Sequence, residues 1–172
     1  MRMFNDIFSG TGLASDAFPF QECYNGAAIK FTAKFITKKE DLGGIPDAEG
    51  DQEDGDGETV IDLVDAYNLH TVEGYKVKEW LAMVKGLMPK VMSIVKERGE
   101  LDQDGIKAYK KGCVDFVNFI KGKFDEIQIY QGDIGEYEGI EQSFAYALNE
   151  NDDDPLELSF YYFKDALKEE KY

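Results

Sequence analysis

The sequence predicts an α+β fold in which helices are segregated from an antiparallel sheet. Three patterns carry that expectation. Alternating apolar positions open the first half, two stretches with helical spacing fill the middle, and aromatic-rich strand signals return near the end. The length of 172 residues suits a single domain over 1–172 with a sizeable core. A hydrophobic share of 43% and an aromatic share of 13% argue against global disorder.

Ile29, Phe31, Ala33 and Phe35 alternate with Lys30, Thr32, Lys34 and Ile36, the period of a strand with one apolar face. Residues 59–69, rich in β-branched and apolar side chains, are expected to form a second, well-buried strand. Between them, residues 40–58 hold nine acids, five glycines, Pro46 and no base. Such a stretch buries too little apolar surface to offset its ordering entropy. A long acidic mobile loop over 39–58 is the expectation.

Helical spacing begins after Gly74. Val77, Trp80, Leu81, Val84, Met88, Val91 and Val95 recur at three- and four-residue steps and predict an amphipathic helix of about six turns. Pro89 lies inside it and is expected to kink or break it, and Gly99 suits its C-terminal end. Ile106, Tyr109, Cys113, Phe116, Val117, Ile120 and Phe124 mark a second helix. The short connection makes the pair an antiparallel hairpin over 75–123. Strand signals return at 127–130, 143–148 and 156–163.

Net charge is -16, which disfavours nucleic acid as a partner. The charge is uneven. Residues 75–123 carry ten Lys and one Arg against six acids, a net of +5, so the remainder carries -21. A basic module on an acidic body suggests a docking face for an acidic partner. The alternative is a pair of solvated helix faces. No segment reaches the roughly 18 apolar residues of a membrane span, and residues 1–8 lack the apolar core of a secretory signal. Cys23 and Cys113 have neither metal-like spacing nor the number for a disulfide framework, which points to a cytoplasmic setting.

Catalytic constellations fail on inventory, so no catalytic residues and no enzyme are expected. His70 is the single histidine, and no Ser sits in a G-x-S-x-G elbow. No Gly-rich nucleotide cradle is present, and no cofactor is expected beyond a weak calcium ion. The best calcium candidate is Glu100, Asp102 and Asp104, followed by Gly105, between the two helices. Its twelfth position is Lys111, where an EF-hand loop requires a bidentate glutamate. The other reading of these acids is electrostatic complement to the second helix, with Asp102 or Asp104 as N-cap.

Specific segments then resemble one family. The run Phe160-Tyr161-Tyr162-Phe163-Lys164-Asp165-Ala166-Leu167, closed by Glu169-Glu170-Lys171-Tyr172, is similar to the end of the translationally controlled tumour protein family. Met3-Phe4-Asn5-Asp6-Ile7-Phe8 resembles its opening. Leu42-Gly43-Gly44-Ile45-Pro46-Asp47-Ala48-Glu49-Gly50 resembles its first signature, with Ile45 for Asn and Asp47 for Ser. Tyr130-Gln131-Gly132-Asp133 resembles its second, with Asp133 for the usual Glu. The order and spacing of these matches cover essentially the whole chain.

The resemblance implies a tent-like antiparallel β core with a protruding helical hairpin, similar to a class of small-GTPase-binding chaperones. Those relatives hold zinc through paired C-x-x-C motifs, which this chain lacks. It further implies a cytosolic protein, expected as a monomer, associated with calcium, microtubule stabilisation, small-GTPase regulation, growth and survival. Tubulin association is attributed in the family to the helical region, which here is the basic segment. Lys107, Lys110 and Lys111 are therefore the expected contacts to acidic tubulin tails. For a Ras-type GTPase, Asp133 keeps the charge of one family acid, while Gly12 stands where the family places a glutamate.

Overall fold

The computed structural model describes residues 1–38, 58–133 and 143–171. The expected acidic loop falls almost wholly on residues outside these. In chain order the elements are β1 (Arg2–Asp6), β2 (Gly12–Ser15), β3 (Phe20–Cys23), β4 (Ala28–Lys38), β5 (Glu58–Ile61) and α1 (Asp62–Tyr67). There follow β6 (His70–Val72), α2 (Val77–Arg98), α3 (Gln103–Gly122), β7 (Gln128–Gln131), β8 (Phe144–Leu148), β9 (Glu157–Phe163) and β10 (Leu167–Lys171).

Among the described residues the strands form two sheets. The larger has the order β3-β4-β9-β8-β7-β6, with β5 added on β4, and the smaller has the order β10-β1-β2. Every described pairing is antiparallel. β8 and β9 are covered on both faces, so they read as apolar runs in place of a clean alternation. Tyr146, Leu148, Tyr161 and Phe163 enter the core beneath the helices. Their neighbours Ala145, Ala147, Phe160 and Tyr162 enter a second core with Phe4, Leu13 and Leu63. The large sheet is thus sandwiched between the hairpin on one side and the small sheet with α1 on the other.

One local expectation is corrected and another is narrowed. Residues 59–69 do not form one strand: β5 ends at Ile61, and α1 follows. The Asp62 carboxylate accepts the Leu63 N–H at 2.7 Å and the Lys34 N–H at 2.9 Å, tying the helix start to β4. Asn68, at φ 52°, closes the helix in the left-handed conformation. Only Leu63 of the helix is fully buried, so the apolar run was a helical face and not a buried strand. Of the two outcomes expected at Pro89, a kink or a break, the break does not occur: α2 runs as a single helix of 22 residues. The carbonyl deprived of its partner is that of Lys85, at an exposed position where water can serve it.

Candidate interaction surface on the helical hairpin

The hairpin is held to the sheet by contacts that fix which faces it presents. The indole N–H of Trp80 donates to the Tyr146 hydroxyl at 2.9 Å, and both side chains are fully buried. At the far end of α2, Arg98 pairs with the buried Asp165, which lies in the single turn Lys164–Ala166 between β9 and β10. The β3–β4 turn locks α3 from the side. Tyr24, Asn25 and Gly26 all adopt positive φ, the Asn25 side-chain amide donates to the Ala108 carbonyl at 3.0 Å, and the Tyr24 ring lies 5.4 Å from that of Phe116.

These anchors turn one face of α3 outward. Lys107, Lys110, Lys111 and Lys121 are all exposed, as is Val114 among them, at 58%. The spacing of 107, 111, 114 and 121, with 110 beside them, places them on one side of the helix. Lys111 bonds Asp115 at 3.1 Å, an exposed (i, i+4) pair worth about 0.3–0.5 kcal/mol. Among the described residues Lys107 and Lys110 have no carboxylate partner within 4.0 Å. The three expected docking lysines therefore share one solvated stripe.

The calcium candidates are not gathered in the same way. Asp102 is the N-cap of α3, and its Oδ1 accepts the Gly105 N–H at 2.7 Å. Asp104 sits in the first turn, where it complements the helix dipole. Among the described residues no three His, Cys, Asp or Glu side chains converge on a common metal position.

Asp133 belongs to another surface. It accepts from the Asn68 side-chain amide at 2.6 Å and lies 3.6 Å from His70 Nε2. Next to it Gly132 packs so closely on β2 and the loop before it that a methyl there would be 2.9 Å from Thr11 and Leu13. Gly12 faces the Tyr67 ring. Asp133 and the segment around Gly12 are thus neighbours, but Gly12 brings no carboxylate.

One feature of the hairpin escaped the sequence reading. A largely apolar cleft of about 450 Å³ runs between α2 and α3, lined by Leu81, Met88, Pro89, Met92, Val114 and Val117 among others. Leu81, Met88 and Val117 share the helical spacing of the core residues but are only partly buried. The available signal was width: α2 is apolar at 80, 81, 84, 87, 88, 91, 92 and 95, more than a single buried stripe requires.

A sheet body with a braced basic hairpin defines a class of small α+β proteins that display helical surfaces. The family model described as translationally controlled tumour protein matches residues 1–168, and the chain belongs to that family. It is 32% identical to translationally-controlled tumor protein homolog 1 of Dictyostelium discoideum and 28% identical to the homolog of Plasmodium berghei, each aligned over all of both chains. Its fold matches the translationally controlled tumor-associated protein of Schizosaccharomyces pombe with a TM-score of 0.73 at 25% identity, covering all of both chains. The Caenorhabditis elegans family structure matches with 0.72 at 25% identity, over all of this chain and 99% of that one. None of these names is enzymatic. Among the described residues no helix is long and apolar enough to cross a membrane.

Proposed function

We propose that this chain is a non-catalytic cytoplasmic docking protein that associates with tubulin and microtubules, supports their stability and serves growth and survival through such contacts. The observation that carries this reading is the exposed lysine stripe of α3 on a chain whose net charge is -16. Acidic tubulin tails are complementary to that stripe. Co-pelleting with polymerised tubulin tests it. Binding should weaken as salt rises. Reversing Lys107, Lys110 and Lys111 to Glu should weaken it by about tenfold or more. Pelleting that survives both changes would remove the hairpin from the reading.

Calcium enters only as a weak surface ligand near Glu100 and Asp104, since Asp102 is engaged by the Gly105 N–H. Saturable amide shifts confined to that turn would support it. Shifts that spread over the acidic residues without saturating would take calcium out of the description.

A second reading, control of nucleotide exchange or dissociation on a Ras-type GTPase, is favoured by the proximity of Asp133 to Asn68 and His70 and of Gly132 to Thr11. Its readout is nucleotide release from such a GTPase. The effect should disappear in Asp133→Lys, and release rates that ignore the chain entirely would exclude it.

A further inference from the structure

The cleft between α2 and α3 lies beside the lysine stripe, yet its chemistry differs. Its lining is apolar, with Met88 and Met92 as adaptable thioethers. Its border is basic. Lys85 lines it directly, and helical spacing places Lys78 one turn before Leu81 and Lys96 one turn after Met92. On the opposite helix Lys110 and Lys121 lie one turn before Val114 and one turn after Val117. Residues 80–96 contain no acid at all, and residues 106–122 contain only Asp115, which is held by Lys111 at 3.1 Å. In a chain with 35 acids this is a strong segregation of charge around one apolar feature.

We infer that this cleft is a docking groove for an amphipathic helix of a partner protein, one that carries acidic residues on both flanks of its apolar face. The lining from Leu81 to Met92 spans twelve residues of α2, a rise of about 16 Å, or three turns of a docked helix. That length accommodates anchors at i, i+3 or i+4, and i+7. A purely acidic coil would satisfy the lysines but leave Met88, Met92 and Val114 in water. A membrane surface suits apolar side chains that project, whereas here the apolar groups line a concavity and only Pro89 and Val114 among them are exposed. The groove and the tubulin stripe share lysines but select different ligands, so each reading stands or falls separately.

The test uses the full chain and a designed helical peptide of about sixteen residues, three turns of anchors plus flanks, with Leu anchors and Glu on both sides. Binding is followed by anisotropy and by the methionine methyl signals of the protein. Met88 and Met92 methyls should shift on titration, while Met3, on β1, stays fixed. Val114→Asp, at an exposed position, and separately Lys121→Glu should each weaken binding by roughly tenfold with the melting temperature little changed. Equal binding of a peptide with its Leu anchors replaced by Ser would overturn the groove. So would capture of the chain by anionic phosphatidylserine vesicles with no response to the peptide. Groove shifts that appear on raising protein concentration alone, and vanish in Val114→Asp, would assign the cleft to a second copy of this chain instead. No tubulin is present, so failure here leaves the pelleting result untouched.

Discussion

Gly112 of α3 faces the carbonyl oxygen of Tyr24 so closely that a methyl group on its α-carbon would lie 1.9 Å from that oxygen. The obstacle is backbone, held in a turn with three consecutive positive φ values, so it cannot swing aside. Gly112→Ala should therefore destabilise the protein by about 3 kcal/mol, at the upper end of overpacking costs. Gly86, in the middle of α2, has nothing within 4 Å of the same position. Gly86→Ala should stabilise by about 0.5–1 kcal/mol through backbone entropy alone. Urea denaturation of the two variants gives opposite signs if this contact sets the hairpin's position.

Tyr146→Phe leaves the Trp80 indole N–H buried without its acceptor. A loss of about 1–3 kcal/mol is expected, the cost of one unpaired buried donor. A double-mutant cycle with Trp80→Phe should show clear coupling, because the second change removes the orphaned group. Additive losses would mean that another acceptor takes over.

Arg98→Met removes the partner of a carboxylate that is only 6% exposed. Breaking such a pair costs about 3–5 kcal/mol when the remaining charge stays buried. Since Asp165 sits between β9 and β10, amide exchange should quicken both at the end of α2 and along β10. A uniform increase over the whole chain would show that the pair does not act locally.

Burial pushes both Cys23 and Cys113 up to about 11 from an ordinary value near 9. The thiolate is the reactive form, so alkylation of the native protein should be slow at neutral pH and rise about tenfold per pH unit until that range. The same shift makes stability pH-dependent. Above pH 9 the unfolded thiols lose protons that the native ones keep, so stability falls as pH rises toward 11. Burial also raises the hydroxyls of Tyr109, Tyr146, Tyr161 and Tyr162, which extends the loss at higher pH. Urea midpoints at pH 8 and pH 10.5 check this directly, and equal midpoints would show the thiols to be solvent-titrated.

The helical hairpin was legible because Trp80, Val84, Val91, Phe116 and Ile120 repeat at the helical period and Gly99 ends α2 in the left-handed conformation. The lysine stripe was legible because charge is visible in composition. Residues 62–67 were misread because Leu63, Val64 and Tyr67 fit a helical face as well as a strand, and the deciding bond runs from Lys34, far away in sequence. A break at Pro89 follows from local propensity alone, which tertiary packing of Leu87 and Val91 overrides. The apolar cleft was hidden because packing, not hydrophobicity, decides whether a side chain such as Met88 is enclosed. Nothing in the spacing of Gly12 and Gly132 announces that Gly132 packs on β2, the strand that Gly12 begins.

The pairing of β1 with β10 sets Phe4 opposite Glu169. Of the described strand pairings this one joins the residues farthest apart in sequence, so it closes the longest loop. Contacts within the hairpin span far shorter stretches of chain and can form long before that moment. Docking of β10 is consequently a late step of folding, and until it occurs the aromatic surface around Phe4 and Phe31 stands open to chaperones.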